Sequence, residues 1–166
     1  MKLLLLSLLG AFALVTPATA HTQDEDEPRP ALKQYNLEKG LALSGYDPVA
    51  YFEEGGGKPA EGKHDLTAKH RGITYRFANE KNRDAFLKTP ERFEPAYGGW
   101  CAYAMVGGDK VEIDPKSFLI EKGRLLVFYK GFFNDTRKKW LKEGGAKLAP
   151  KADKAWKKLI TPEKDS

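Results

Sequence analysis

The stretch that most narrows the possible folds covers residues 66–77. Leu66, Ala68 and His70 occupy alternate positions, Arg71 and Gly72 interrupt the run, and Ile73, Tyr75 and Phe77 alternate again. Side chains of a strand point to opposite faces in turn, so the pattern predicts a β-hairpin with one buried face. The period then changes. Asn79 stands where a helix cap belongs, Ala85 and Phe86 fall on the inner side of a helix reaching Lys88, and Pro90 lies beyond its end. Pro90, Glu91, Arg92 and Phe93 start a further helical turn. A hairpin followed at once by a helix demands strands and helices packed on each other.

The same grammar extends along the chain. Asp47 and Pro48 read as cap and first position of a short helix, which the glycines at 55–57 end. Asp114 before Pro115 reads as a turn, with its carboxylate in a capping role. Residues 118–120 and 125–129 flank Glu121, Lys122, Gly123 and Arg124 as a second hairpin. Two helices close the sequence. Asn134 is the expected cap of the first, which runs to about Glu143, and Pro150 is the expected opening of the second. In that last helix Ala152, Ala155, Trp156 and Leu159 follow helical spacing, with Lys151, Lys154, Lys157 and Lys158 largely on the other face. The fold class expected is α+β: two β-hairpins packed with several short helices, ending in C-terminal amphipathic helices.

The two ends set the context. Met1 and Lys2 precede an apolar run over residues 3–15, Pro17 breaks it, and Ala18, Thr19 and Ala20 are small. That order predicts a cleavable signal peptide over residues 1–20 and a periplasmic or secreted product. The run is shorter than the ~20 residues a membrane-spanning helix needs, and no later segment is long and apolar enough. Residues 21–34 read as a flexible acidic tether, 35–160 as a single domain and 161–166 as a tail. Loss of Lys2 with the leader takes the formal charge from +5 to +4. The lysines of the last helix are then mostly its water face, and no nucleic-acid motif accompanies them.

Asp47-Pro48-Val49, the strand end Tyr75-Arg76-Phe77, and the following helix with Phe86, Pro90, Glu91 and Phe93 together resemble the YHS domain. This short module is related to the metal-binding TRASH group, and the resembling core covers about 46–95. Tyr97-Gly98-Gly99-Trp100-Cys101-Ala102-Tyr103 and Ile113-Asp114-Pro115 extend the likeness to a bacterial exported subgroup. The resemblance implies the scaffold and an association with metal. Metal-binding members carry cysteines where this chain has Ala50, Ala78 and Asn82, so their thiolate site is not carried over.

The chain's own donors suggest a different set. Cys101 follows two glycines and is expected in the first turn of a short helix, where Met105 lies four residues on and shares its face. Thiolate and thioether form a soft pair suited to copper, Cu(I) above all. His64 and His70 would supply imidazoles from one strand face if the strand reached back to His64. His21 would become the mature N-terminus, whose amine and imidazole can chelate copper. The competing reading makes Cys101 a small buried hydrophobe, Met105 core filler and the histidines surface residues. No nucleophile–base arrangement, phosphate loop or zinc-protease motif is present, so a binding module for a metal ion or small ligand is expected rather than an enzyme. A structural or protein-interaction domain is the alternative, and a thiol-dependent enzyme built on Cys101 with His64 or His70 is the third reading.

Overall fold

The computed structural model describes residues 28–161. The predicted leader, His21, most of the acidic tether and the tail from residue 162 onward lie outside the described residues. In chain order the elements are β1 (Leu37–Glu38), β2 (Leu41–Ala42), β3 (Thr67–His70), β4 (Ile73–Arg76), α1 (Glu80–Lys88), α2 (Pro90–Phe93), α3 (Ala102–Met105), β5 (Asp114–Glu121), β6 (Arg124–Phe128), α4 (Thr136–Glu143) and α5 (Gly145–Ile160). The fold is α+β.

The alternating stretch forms the predicted hairpin, β3 against β4, with Thr67 opposite Arg76 and His70 opposite Ile73. A two-residue pair, β1 and β2, joins it through a parallel contact of Leu41 with Thr74, giving a four-stranded sheet in the order β1-β2-β4-β3. Strands this short carry no readable alternation, so sequence could not announce them. The second hairpin, β5 with β6, is longer than expected. Asp114 and Pro115 belong to β5 rather than to a turn, and the ladder shifts register between Asp114 and Phe118. Asp114 Oδ1 accepts the Lys116 N–H at 2.9 Å, which holds this irregular strand start instead of capping a helix.

Asp47 likewise opens no helix. Its Oδ1 accepts the N–H groups of Val49 (2.8 Å) and Ala50 (3.3 Å), closing a turn ahead of a 3-10 turn at Glu53–Gly55. Its Oδ2 accepts the Ala78 N–H at 2.9 Å and Asn82 Nδ2–H at 2.7 Å. A fully buried carboxylate thus ties the turn to the start of α1 with four donors, which is how burial of its charge is offset. Asn79 caps α1 by accepting the Asn82 N–H at 2.9 Å.

Two boundaries near the end differ from expectation. Asp135, not Asn134, caps α4, accepting the Lys138 N–H at 3.2 Å. Helix α5 starts at Gly145, with Pro150 inside it. A Cβ at Gly145 would collide with the Trp140 indole nitrogen and the Glu121 carboxylate, so only glycine lets the helix begin this close to α4. That early start buries Leu148 beside Ala152 and gives up one backbone bond at Pro150. The acidic tether also ends sooner than expected. Arg29 forms an ion pair with Glu94, and Leu32, in a 3-10 turn, packs on the core.

Among the described residues the core has two clusters that share one wall. Val49, Tyr51, Ile73, Tyr75, Phe77, Phe86 and Phe93 build the first around the four-stranded sheet. Tyr97, Ala102, Met105, Trp140, Leu148 and Ala152 build the second among the later helices. Strand β6 feeds both: Leu125 and Val127 face the first cluster, Leu126 and Phe128 the second. Period-two geometry splits a continuous apolar run between two cores.

Candidate functional site

The four expected metal donors do not converge. Cys101 caps α3 with its own backbone and has no exposed surface. Its Sγ lies 3.3 Å from Thr136 Oγ1, and Thr136 Oγ1–H in turn donates to the Tyr129 carbonyl at 2.8 Å. A threonine hydroxyl has one proton, so the sulfur must be the donor of the first bond. The residue is a protonated thiol sealed between α3 and α4. Met105 does share its face, with its N–H donating to the Cys101 carbonyl, but the thioether is fully buried in the second cluster.

The histidines sit elsewhere. His70 is buried at the end of β3, its ring edge-on to Phe86 with centroids 6.3 Å apart. Its Nε2 is 3.4 Å from Glu91 Oε1, an ion-pair distance without hydrogen-bond geometry. His64 lies in an exposed turn before β3, because the strand starts only at Thr67. Among the described residues, no three His, Cys, Asp or Glu side chains gather as a metal-holding group. His21 lies outside the described residues. Of the expected set, Cys101, Met105 and His70 are thus buried in the packing, while His64 faces water.

A different site is present at the seam between the clusters. A cleft of about 290 Å³ is lined by Arg29, Tyr35, Tyr75, Glu94, Tyr97, Arg124 and Trp156, among others. Each element brings one part. The Arg29 guanidinium donates twice to Glu94, which follows α2, at 2.6 and 3.1 Å. Tyr75 on β4 donates its hydroxyl proton to the same carboxylate at 2.7 Å. Arg124, at the start of β6, pairs with Asp153 on α5 at 2.9 Å, and Tyr97 O–H donates to Asp153 at 3.0 Å. The guanidinium carbons of Arg29 and Arg124 each lie 5.1 Å from a ring centroid, over Tyr35 and Tyr97 respectively. Tyr35 meets Trp156 edge-on, centroids 5.2 Å apart.

Backbone strain fixes one wall. Tyr97 and Gly98 both take positive φ, 57° and 61°. A Cβ at Gly98 would lie 2.6 Å from Trp156 Cη2 and 3.0 Å from Tyr35 Cδ1. Glycine is required here twice, for the conformation and for the space the indole occupies. The carbonyl of Gly98 accepts the Asn36 N–H at 2.9 Å, locking the N-terminal segment against this turn.

The arginines of the cleft are each paired with a carboxylate. Burial works against the charge on Arg29, but its bonds to Glu94 and Tyr35 outweigh it and hold the guanidinium charged. Arg124 follows the same pattern, with Asp153 as its partner. Burial, then the Glu94 carboxylate, pushes the Tyr75 phenol well up. Tyr97 is pushed up to about 12, by burial first and by Asp153, with Arg124 pulling the other way. Both phenols are therefore neutral donors at physiological pH. Arg29 Nε is buried without a hydrogen-bond partner among the described residues.

The sequence places Tyr75 and Trp156 in structural roles and Arg124 in a hairpin turn, and gives no signal for Arg29, Glu94 and Asp153. Their pairings span long separations, such as 65 residues from Arg29 to Glu94. No local signal encodes such a contact. No protein-family model matches the chain, and neither a curated protein nor a solved structure matches it.

Proposed function

We propose that the chain is an exported binding module on a YHS-like scaffold, holding a compact, net-neutral polar molecule in the seam cleft. The leader-like residues 1–20 support export to the periplasm or beyond the cell. One observation carries the ligand class: each arginine lining the cleft is already paired with a carboxylate, Arg29 with Glu94, Arg92 with Glu54 and Arg124 with Asp153. An anionic guest would have to break an arginine pair, whereas one offering both donors and acceptors can bond to the paired groups as they stand. Trp156 and Tyr35 add a fixed aromatic edge suited to a flat apolar face. The volume of about 290 Å³ suits one sugar ring or one amino acid. Neutral phenols and the Arg29-bound Glu94 support holding a molecule over transforming it.

Trp156 is the built-in reporter. Calorimetric titration with a panel of monosaccharides and zwitterionic amino acids, followed in parallel by tryptophan fluorescence, tests the reading. We expect binding by at least one compound with a change in emission. Trp156→Phe should remove the optical change, and Glu94→Gln should weaken binding by about tenfold through loss of one charge-assisted contact. No binding by any panel member, or unchanged affinity in Glu94→Gln, would refute the assignment.

A further inference from the structure

The loop between β6 and α4 carries the largest exposed apolar side chains among the described residues. Phe132 and Phe133 are 94 % and 95 % exposed, although aromatic side chains of this size are normally buried. Their exposure does not come from a loose loop. Gly131 N–H donates to the Asn134 carbonyl at 2.9 Å, Lys130 bridges Asp135, and Thr136 N–H returns to the Tyr129 carbonyl at 3.1 Å. The two phenylalanines occupy the two central positions of a closed four-residue turn. Their rings pack edge-on, centroids 4.6 Å apart, as one preformed convex wedge. Exposed Lys130 and Lys138, with half-buried Arg137, flank it, and Asp135 beside them is held as the α4 cap.

We propose that this tip is a docking device for an anionic lipid surface, with Phe132 and Phe133 entering the interfacial region and the flanking cations meeting the headgroups. Two arguments select this occupant. The first is size. Two rings offer at most about 500 Å², short of the roughly 800 Å² per partner that a stable protein interface buries. A bilayer needs no matching surface, only apolar side chains that enter it. The second is charge: aromatic tip and basic collar are the pair that interfacial binding to anionic lipid uses, each adding to the other.

Vesicle flotation measures this directly, with phosphatidylcholine alone or mixed with phosphatidylglycerol. The full chain and the chain beginning at His21 are run side by side, so that the apolar run over residues 3–15 cannot stand in for the tip. The chain beginning at His21 should float with the mixed vesicles more than with the neutral ones, and less as salt rises from 0.1 to 1 M, where the screening length falls from about 10 to about 3 Å. Phe132→Ala/Phe133→Ala should lose at least about tenfold in affinity. Lys130→Glu/Lys138→Glu should lose the preference for anionic vesicles. Among the described residues the rings are almost fully exposed, so the alanine variant should keep the wild-type melting temperature. Failure of the chain beginning at His21 to float with mixed vesicles, or equal flotation of the alanine variant, would overturn the proposal. So would a concentration-dependent dimer in sedimentation that the alanine variant loses, because the tip would then serve a second copy of the chain.

Discussion

At the scale of single residues, hydrogen-bond direction decides more than residue type does. Cys101 was legible as the most informative side chain of the sequence, but its partner, Thr136, lies 35 residues away and on another helix. Spacing alone could place Met105 on its face and could not show that both sulfurs point inward. The sealed thiol has a direct consequence. A water-soluble thiol reagent should leave Cys101 unmodified in the folded chain and label it fully in denaturant, and copper titration of wild type and Cys101→Ala should give equal curves. Rapid labelling of the folded protein, or a copper site lost in the variant, would reinstate the sulfur as an anchor. The phenols supply a pH response. Tyr51, Tyr75 and Tyr97 are all pushed above their usual 10.0, burial first in each case. Below about pH 10 both folded and unfolded chains keep these protons, and the stability is complete. Above it the unfolded chain loses them first, so stability falls as the pH climbs from about 10 through about 12. Phenolate absorbance should show Tyr97 titrating near 12, and Tyr51 and Tyr75 ionising only as the fold opens.

At the scale of elements, the strongly patterned pieces were readable and the context-dependent ones were not. The β3–β4 hairpin and the Asn79-capped α1 come from alternation and a cap that act locally. The start of α5 is set instead by what Gly145 touches, Trp140 and Glu121, so Pro150 misled. Strand β6 is the informative case. The run Leu125, Leu126, Val127, Phe128 is buried throughout, with no more than 2 % exposure at any position. Continuous burial follows from having a core on each face. Leu125→Ala and Leu126→Ala should each cost about 2–5 kcal/mol in denaturant unfolding. Pointing to opposite faces and into different clusters, they should add to within about 0.5 kcal/mol in the double variant. A coupling well above that would mean the two clusters are a single packed unit.

At the scale of the whole molecule, the seam is where distant parts of the chain are brought together, and that is why sequence could not describe it. Arg29 comes from the N-terminal segment, Glu94 from the stretch after α2, Arg124 from β6 and Asp153 from α5. A chain reader sees four unrelated charged residues, and only the assembled fold makes them two pairs around one opening. The turn at Tyr97 and Gly98 shows the same dependence in its strictest form, since the indole of Trp156 and the ring of Tyr35 both rest where a Cβ at residue 98 would go. Inherited change at that junction is therefore not free. A lineage that acquires a bulkier residue at 98 must in the same step trim position 156, and since the indole it would surrender also edges the opening, drift at one glycine would rewrite what the protein is able to hold.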